Sequence, residues 1–361
     1  CIRDRRLLEG LAARITAPSE NPLAPSMVVV QGPGMERWLA QSIARRYGVC
    51  ANTEFLFPRQ LLERVFETLP GDDPVFGNSA WEVNRLTWSV ARLLFEGRGE
   101  PDFEPLARHL DAIDGDWRLV QLSRQIATLL DQYITFRPEW IRDWGRATEL
   151  PVARDARWQA RLVRDLTTQL GPGHFADRAS AFLAAVSTSA DPIARKLASA
   201  VSGRIEIFAL STLPPLYLSV LDGLARVADV HLSILSPTQG YWADLWREVR
   251  EGEIQGLEAG NASEASGLFE ALPATPAARL LAGLGRLGGD FQRCLEERVE
   301  AREEECDEYE SPLSGAESPS LLARLQADLL ELDFGLGEGG VDSPSLDSNR
   351  VVREDDDSIQ I

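Results

Sequence analysis

The sequence predicts an α/β fold interrupted by a large helical insertion, and three observations predict it. Val28-Val29-Val30 leads through a glycine turn, Gln31-Gly32-Pro33-Gly34, into an amphipathic helix. Residues 78–170 are then dominated by apolar side chains at helical period. Strand patterns return at Ile205-Glu206-Ile207-Phe208 and at 230–235, on either side of a helix opened by Pro214-Pro215. That last stretch is a βαβ unit, with proline at the first helical turn, where its missing N–H costs nothing.

In chain order, residues 7–15 make a short helix and 17–26 a Pro/Ser/Asn-rich loop. A strand at 27–30 and a helix at 35–46 frame the glycine turn. Phe55-Leu56-Phe57-Pro58 reads as a second extended piece before a helix from Arg59 to about Leu69. Within the insertion the helical period is clearest over 81–95, 117–136 and 157–170. Beyond the βαβ unit, 247–275 turns to Glu, Gly, Ala and Ser, as a loop or linker does. Helices are expected at 277–303 and 320–332, with a Gly/Ser/Asp linker at 335–350. The chain starts at Cys1 and ends just after an acidic run, Asp355-Asp356-Asp357, which reads as a piece of a longer polypeptide.

The charge of −19 is unevenly placed. Residues 251–361 hold 26 acids and 8 bases, leaving 30 acids and 29 bases upstream. A near-neutral body can carry a local basic groove, so net charge neither supports nor excludes a nucleic-acid partner. Four scattered cysteines suit a reducing compartment, and no apolar run approaches a bilayer span. A soluble, cytoplasmic protein with no membrane partner is expected.

The glycine turn has the layout of a phosphate-cradling loop. It reads either as an anion contact or as a plain strand-to-helix turn. It lacks the lysine that ATP hydrolysis needs; the one lysine in the chain is Lys196. Strand 205–208 runs into Ala209-Leu210-Ser211 with no carboxylate after Glu206 to hold Mg²⁺. His109, His174 and His231 are far apart in sequence and read as structural. No catalytic residue, cofactor site or metal site is therefore expected in this segment. A different signal lies in 118–136. Leu119, Leu122, Ile126, Leu129, Leu130, Tyr133 and Phe136 form an apolar face. Gln121, Gln125, Thr128, Gln132 and Thr135 form a polar, uncharged stripe, with Arg124 and Asp131 beside it. Gln, Asp and Arg suit the reading of base edges, although a solvated helix face gives the same pattern. Six tryptophans (Trp81, Trp88, Trp117, Trp140, Trp144, Trp158) read mostly as core, with one or two exposed rings that can stack on unpaired bases.

Three ordered motifs resemble the RecC family, the gamma subunits of exodeoxyribonuclease V. They are Gln31-Gly-Pro-Gly-Met-Glu-Arg-Trp-Leu39, Leu129-Leu-Asp-Gln-Tyr-Ile-Thr-Phe-Arg-Pro-Glu-Trp140 and Ser211-Thr-Leu-Pro-Pro-Leu-Tyr-Leu218. Ala51-Asn52, Tyr241-Trp242 and Ser320–Gln326 extend the likeness through nearly the whole chain, which corresponds to roughly the N-terminal third of such a subunit. The resemblance implies an inactive superfamily-1 helicase-like, P-loop-type α/β domain. Its parts are 1–77 and 201–246 around a helical insertion at 78–200, a linker with helices at 247–350, and the truncated start of a second helicase-like domain at 351–361. It implies a non-catalytic subunit that guides the 3′-ending strand and recognises Chi during recombinational repair of double-strand breaks. RecB-like and RecD-like partners use the ATP and Mg²⁺, and both single-stranded and duplex-end DNA are bound. By position, Gln31, Arg37, Leu129, Asp131, Gln132, Arg137 and Arg178 would contact DNA. Pro33, Arg37, Glu63 and Thr128 depart from the family's usual residue types. The competing readings are a scaffold that docks helicase subunits without touching bases, and an active P-loop motor.

Overall fold

The structure, a computed structural model, describes residues 2–17, 24–67, 79–111, 116–146, 154–188, 195–197, 204–239, 242, 281, 284–297, 309, 311–313 and 320–330. The expected linkers at 247–275 and 335–350 and the start of a further domain at 351–361 lie outside the described residues. So do both ends of the helix expected at 277–303. The chain divides into two compact units, one formed by Cys1–Phe55, Glu206–Leu213 and His231–Ile361, the other by Leu56–Ile205 and Pro214–Val230.

The first unit is built on a small parallel sheet of four strands, β1 (Ser26–Val29), β2 (Thr53–Leu56), β3 (Arg204–Phe208) and β4 (Asp229–Ser233), in the order β2-β1-β3-β4. The two central strands are the two whose side chains are buried almost without interruption. Met27, Val28, Val29 and Val30 are buried, as are Ile205, Glu206, Ile207 and Phe208. A parallel strand covered on both faces selects such a continuous apolar run. The edge strands are only partly covered, and β4 ends at Ser233, two residues short of the run that the sequence predicts.

Helix α1 (Ile2–Thr16) precedes the sheet, and α2 (Pro33–Tyr47) joins β1 to β2. Pro33 sits in the first turn of α2, and Gly48 ends the helix at φ 85°, its N–H donating to the Ala44 carbonyl. The one buried charge in the central strands, Glu206, is answered locally. Arg14 of α1 donates from Nε to both Glu206 carboxylate oxygens, at 3.1 and 2.8 Å, and from its terminal nitrogen to Ser233 Oγ at 3.1 Å. Later in the chain, buried Trp242 packs against Gly285 and Gly288 at the start of α11 (Arg286–Glu296), where any Cβ would meet the indole within 3 Å.

The second unit is helical. In order it contains α3 (Pro58–Glu67), α4 (Val83–Glu96), α5 (Glu104–Asp111), α6 (Asp116–Phe136), α7 (Pro138–Arg146), α8 (Arg154–Leu170), α9 (Phe175–Thr188) and α10 (Pro215–Ala225). Its most extensive packing is between α4 and α6, followed by α7 on α8 and α9 on α10. Phe66, Phe175, Phe182 and Tyr217 form an aromatic core with ring centroids 5.3–6.1 Å apart. His174 caps α9. Its Nδ1 accepts from the Asp177 N–H at 3.2 Å while the Asp177 carboxylate accepts from the N–H of Gly173, the residue before the cap, at 2.9 Å, a variant of the capping box with histidine in the usual place of serine. Trp81 closes edge-on against that imidazole at 5.4 Å and donates its indole N–H to the Gly171 carbonyl at 3.0 Å. No helix among the described residues is long and apolar enough to cross a membrane.

Candidate nucleic-acid interface

In an open α/β sheet the ligand crevice lies at the carboxyl ends of the strands, where the strand order reverses. Here that place is between β1 and β3, because the chain runs from β1 to β2 on one side and then to β3 on the other. The glycine turn occupies it. Only Val30, Gln31 and Gly32 separate β1 from α2, so Gly34 is already helical and no loop is left to wrap a phosphate. Gly32 has an extended backbone (φ −173°), and a Cβ at Gly32 or Gly34 would meet nothing within 4 Å. The glycines therefore leave the turn open without being forced by its geometry. Gln31 is exposed and donates from Nε2 to Ser211 Oγ at 3.3 Å, so a neutral hydrogen bond spans the crevice. Ala209, just after β3, holds a left-handed φ of 52° while its N–H donates to the Ser233 carbonyl at 2.8 Å. Glu206 is committed to Arg14. Arg37 lies exposed on α2.

Long helix α6 carries the second candidate surface. Its exposed residues include Gln121, Arg124, Gln125, Thr128 and Gln132, and its buried seam is Leu119, Ser123, Ile126, Ala127, Leu130 and Ile134. The seam is rotated from the apolar face drawn on sequence, since Leu122, Leu129 and Tyr133 are half-buried and Phe136 is 54% exposed. Thr135, expected in the polar stripe, is buried; its hydroxyl donates to the Asp131 carbonyl at 3.0 Å, and it lies beside Tyr217. The side-chain amides of Gln121, Gln125 and Gln132 make no hydrogen bond to other described residues. Pro138 ends the helix, because the residue before a proline is disfavoured from helical geometry. Arg137 is left exposed at the α6–α7 corner, its guanidinium 5.8 Å from the Trp140 ring.

Asp131 and Arg178 belong to a single cluster inside the helical unit. Arg59 of α3 donates to Glu63 at 2.9 Å and to Asp131 at 2.8 Å, and lies 5.0 Å from the Phe175 ring. Burial opposes the charge of Arg59, but Asp131 and Glu63 outweigh it and hold the guanidinium's pKa above its ordinary value. Arg178 sits 5.6 Å from the Phe66 ring, 3.9 Å from Glu63, with a buried Nε that has no partner. Burial lowers its pKa, Glu63 works against that, and Arg59 adds to it. Arg59 is the residue that sequence reasoning missed. Its (i, i+4) pairing with Glu63 was legible on α3, but its bond to Asp131 spans 72 residues. Leu129 is half-buried beside this cluster's helix.

Amides, hydroxyls and an arginine presented from one rigid helix can donate to and accept from base edges and phosphates. The family model for the RecC N-terminal domain matches residues 3–332. The chain belongs to the RecC family. It is 30% identical over 332 residues to the RecBCD enzyme subunit RecC of Escherichia coli K12, covering 87% of this chain and 28% of that protein. The RecC subunit of Haemophilus influenzae is 28% identical over 255 residues, and that of Mycolicibacterium smegmatis 29% over 255 residues. Each of these alignments covers 22% of the relative, so this RecC-family chain spans about a quarter of the length of the proteins it matches.

Proposed function

We propose that this chain is the DNA-handling, non-catalytic N-terminal portion of a RecC-type subunit in a RecBCD-type helicase–nuclease. There it guides the 3′-ending single strand and scans it for Chi during recombinational repair of double-strand breaks. The observation that carries the reading is the exposed amide and hydroxyl row on α6, ending at Arg137, in a chain matched by the RecC family over 3–332. Gln132 and Arg137 contact the strand directly, with Gln31, Arg37, Leu129, Asp131 and Arg178 as further contacts. The three-residue turn after β1 and the Arg14-bound Glu206 support an inactive superfamily-1 helicase-like domain. In this reading 1–77 and 201–246 form that domain, 78–200 is its helical insertion, and 351–361 begins a second such domain. ATP and Mg²⁺ are used by RecB-like and RecD-like partners, and the complex works in the cytoplasm on duplex ends and single strands.

The test replaces Gln132 and Arg137 by alanine in the assembled complex and follows single-stranded DNA binding across a salt series, Chi response and ATP turnover. Loss of the Arg137 guanidinium lowers affinity and, if it meets a phosphate, reduces the salt slope by about 1. Gln132→Ala alters Chi response, and turnover survives in both variants. Unchanged binding and unchanged Chi response would mean that the chain is a scaffold docking helicase subunits.

A further inference from the structure

Three aromatic rings stand in water at the two ends of the α6 row. Trp117 in its first turn is 75% exposed, Phe136 at its last residue 54%, and Trp140 in α7 43%. Trp117, Gln121, Gln125, Thr128, Gln132 and Phe136 follow one another at intervals of three or four residues, and so share one helix face. At about 1.5 Å per residue the two ends of that face are about 28 Å apart. Trp140 is held before any ligand arrives. Tyr133 meets it edge-on at 5.6 Å, and Trp144 packs at 5.8 Å with the planes at 36°. Arg137 approaches the same ring.

We infer that Trp117, Phe136 and Trp140 are stacking posts for unpaired bases, bracketing the row of amides that reads base edges between them. This rests on the function proposed above and names how the strand is gripped. Two features favour single-stranded nucleic acid over a protein partner. Trp117 is separated from Phe136 and Trp140 by a long stretch of polar helix, so the exposed rings do not form the one contiguous apolar cluster that anchors a protein interface. Between Trp117 and Arg137 the bases are Arg118, Arg124 and Arg137, while the one acid, Asp131, is already bound by Arg59. That face is complementary to a phosphate chain whose bases stack on whatever π-surface is offered.

The test uses the assembled complex with Trp117→Leu, Phe136→Leu and Trp140→Leu, singly and together, which keep apolar bulk and remove the ring. The probes are an oligothymidylate and an abasic oligonucleotide of the same length. Each lost ring weakens oligothymidylate binding about fivefold to a hundredfold. The salt slope stays unchanged, because no phosphate contact is lost. Abasic binding also stays unchanged, and Trp140→Phe and Phe136→Tyr retain affinity. Trp117 lies far enough out in solvent that its variant keeps the test valid if Trp140→Leu disturbs packing. Equal weakening toward both probes overturns the posts, as does loss of a partner subunit with DNA binding intact. If Gln132→Ala and Arg137→Ala weaken binding while the leucine variants do not, the posts fail and the strand-guiding function stands; if neither set matters, both fail.

Discussion

Replacing Arg59 with methionine should destabilise the helical unit more than removing the carboxylate it binds, and the difference can be worked from the cluster. Arg59 is shared between Asp131 and Glu63, with the three side chains 33%, 20% and 36% exposed. Asp131→Ala leaves the guanidinium with Glu63, so the loss is one charge-assisted hydrogen bond, about 1.5 kcal/mol. Arg59→Met instead strands two carboxylates, with Arg178 the nearest cation at 3.9 Å from Glu63. A fully buried broken pair costs about 3–5 kcal/mol, and partial exposure brings that down to about 2–3. The lost contact with the Phe175 ring adds about 0.5. Arg59→Met/Asp131→Ala should then be less harmful than the sum of the single changes by about 1–2 kcal/mol, as expected for residues in one network. Urea unfolding of the purified subunit, followed by far-UV circular dichroism, reads all three. Costs that add to within about 0.5 kcal/mol, or an Asp131→Ala as costly as Arg59→Met, would refute the shared-cation account. The same geometry constrains function, since a base can engage the Asp131 carboxylate only by sharing or displacing Arg59.

Two further outcomes follow from buried ionisable groups. Burial lowers the pKa of His174 from its ordinary 6.5, with Asp177 opposing and Arg142 and Arg178 reinforcing the shift. The unfolded chain therefore binds the proton first, so stability is full above pH 6.5 and falls as pH drops through the depressed folded value; His174→Asn keeps the cap acceptor and should flatten that slope in thermal melts at pH 5–8. Glu206→Ala should cost about 2–4 kcal/mol in urea unfolding, because it leaves Arg14 against a gap in a central strand. It should leave ATP turnover per folded complex unchanged, and a folded variant that loses turnover would give Glu206 a part in nucleotide chemistry.

The sheet was largely legible because the buried residues of its central strands are apolar save for Glu206, and two-faced burial selects such runs. The long helices were legible from their period, down to the stop before Pro138. What the period could not give was the rotation of α6 about its own axis. Ser123 and Ala127 complete the seam against α4 without advertising themselves as core, and this turns Phe136 outward. Thr135 was read as exposed, but it is covered from Tyr217, more than eighty residues downstream. Exposure of Trp88, Trp117 and Trp140, three rings rather than one or two, was hidden for the same reason. A tryptophan at helical spacing looks like core until the neighbouring helix is placed.

The polar residues of this chain sort into two groups by what already binds them, and that sorting argues for where a strand would be met. Glu206, Asp131, Thr135 and His174 all carry side chains able to bind a ligand, yet each is satisfied from within: by Arg14, by Arg59, by the Asp131 carbonyl and by the Asp177 N–H. A group so engaged must give up a bond to take a ligand, at a cost comparable to what it gains. Gln121, Gln125 and Gln132 have no such bond among the described residues and have only water to exchange. Their surroundings also differ in sign from the chain as a whole. The net charge of −19 resides almost entirely in 251–361, whereas residues 117–137 hold three arginines and one acid, Asp131, which is paired with Arg59. A bound strand responds to the field within about a Debye length, roughly 8 Å at physiological salt, so the local excess of arginine and not the total decides whether a phosphate chain is attracted there.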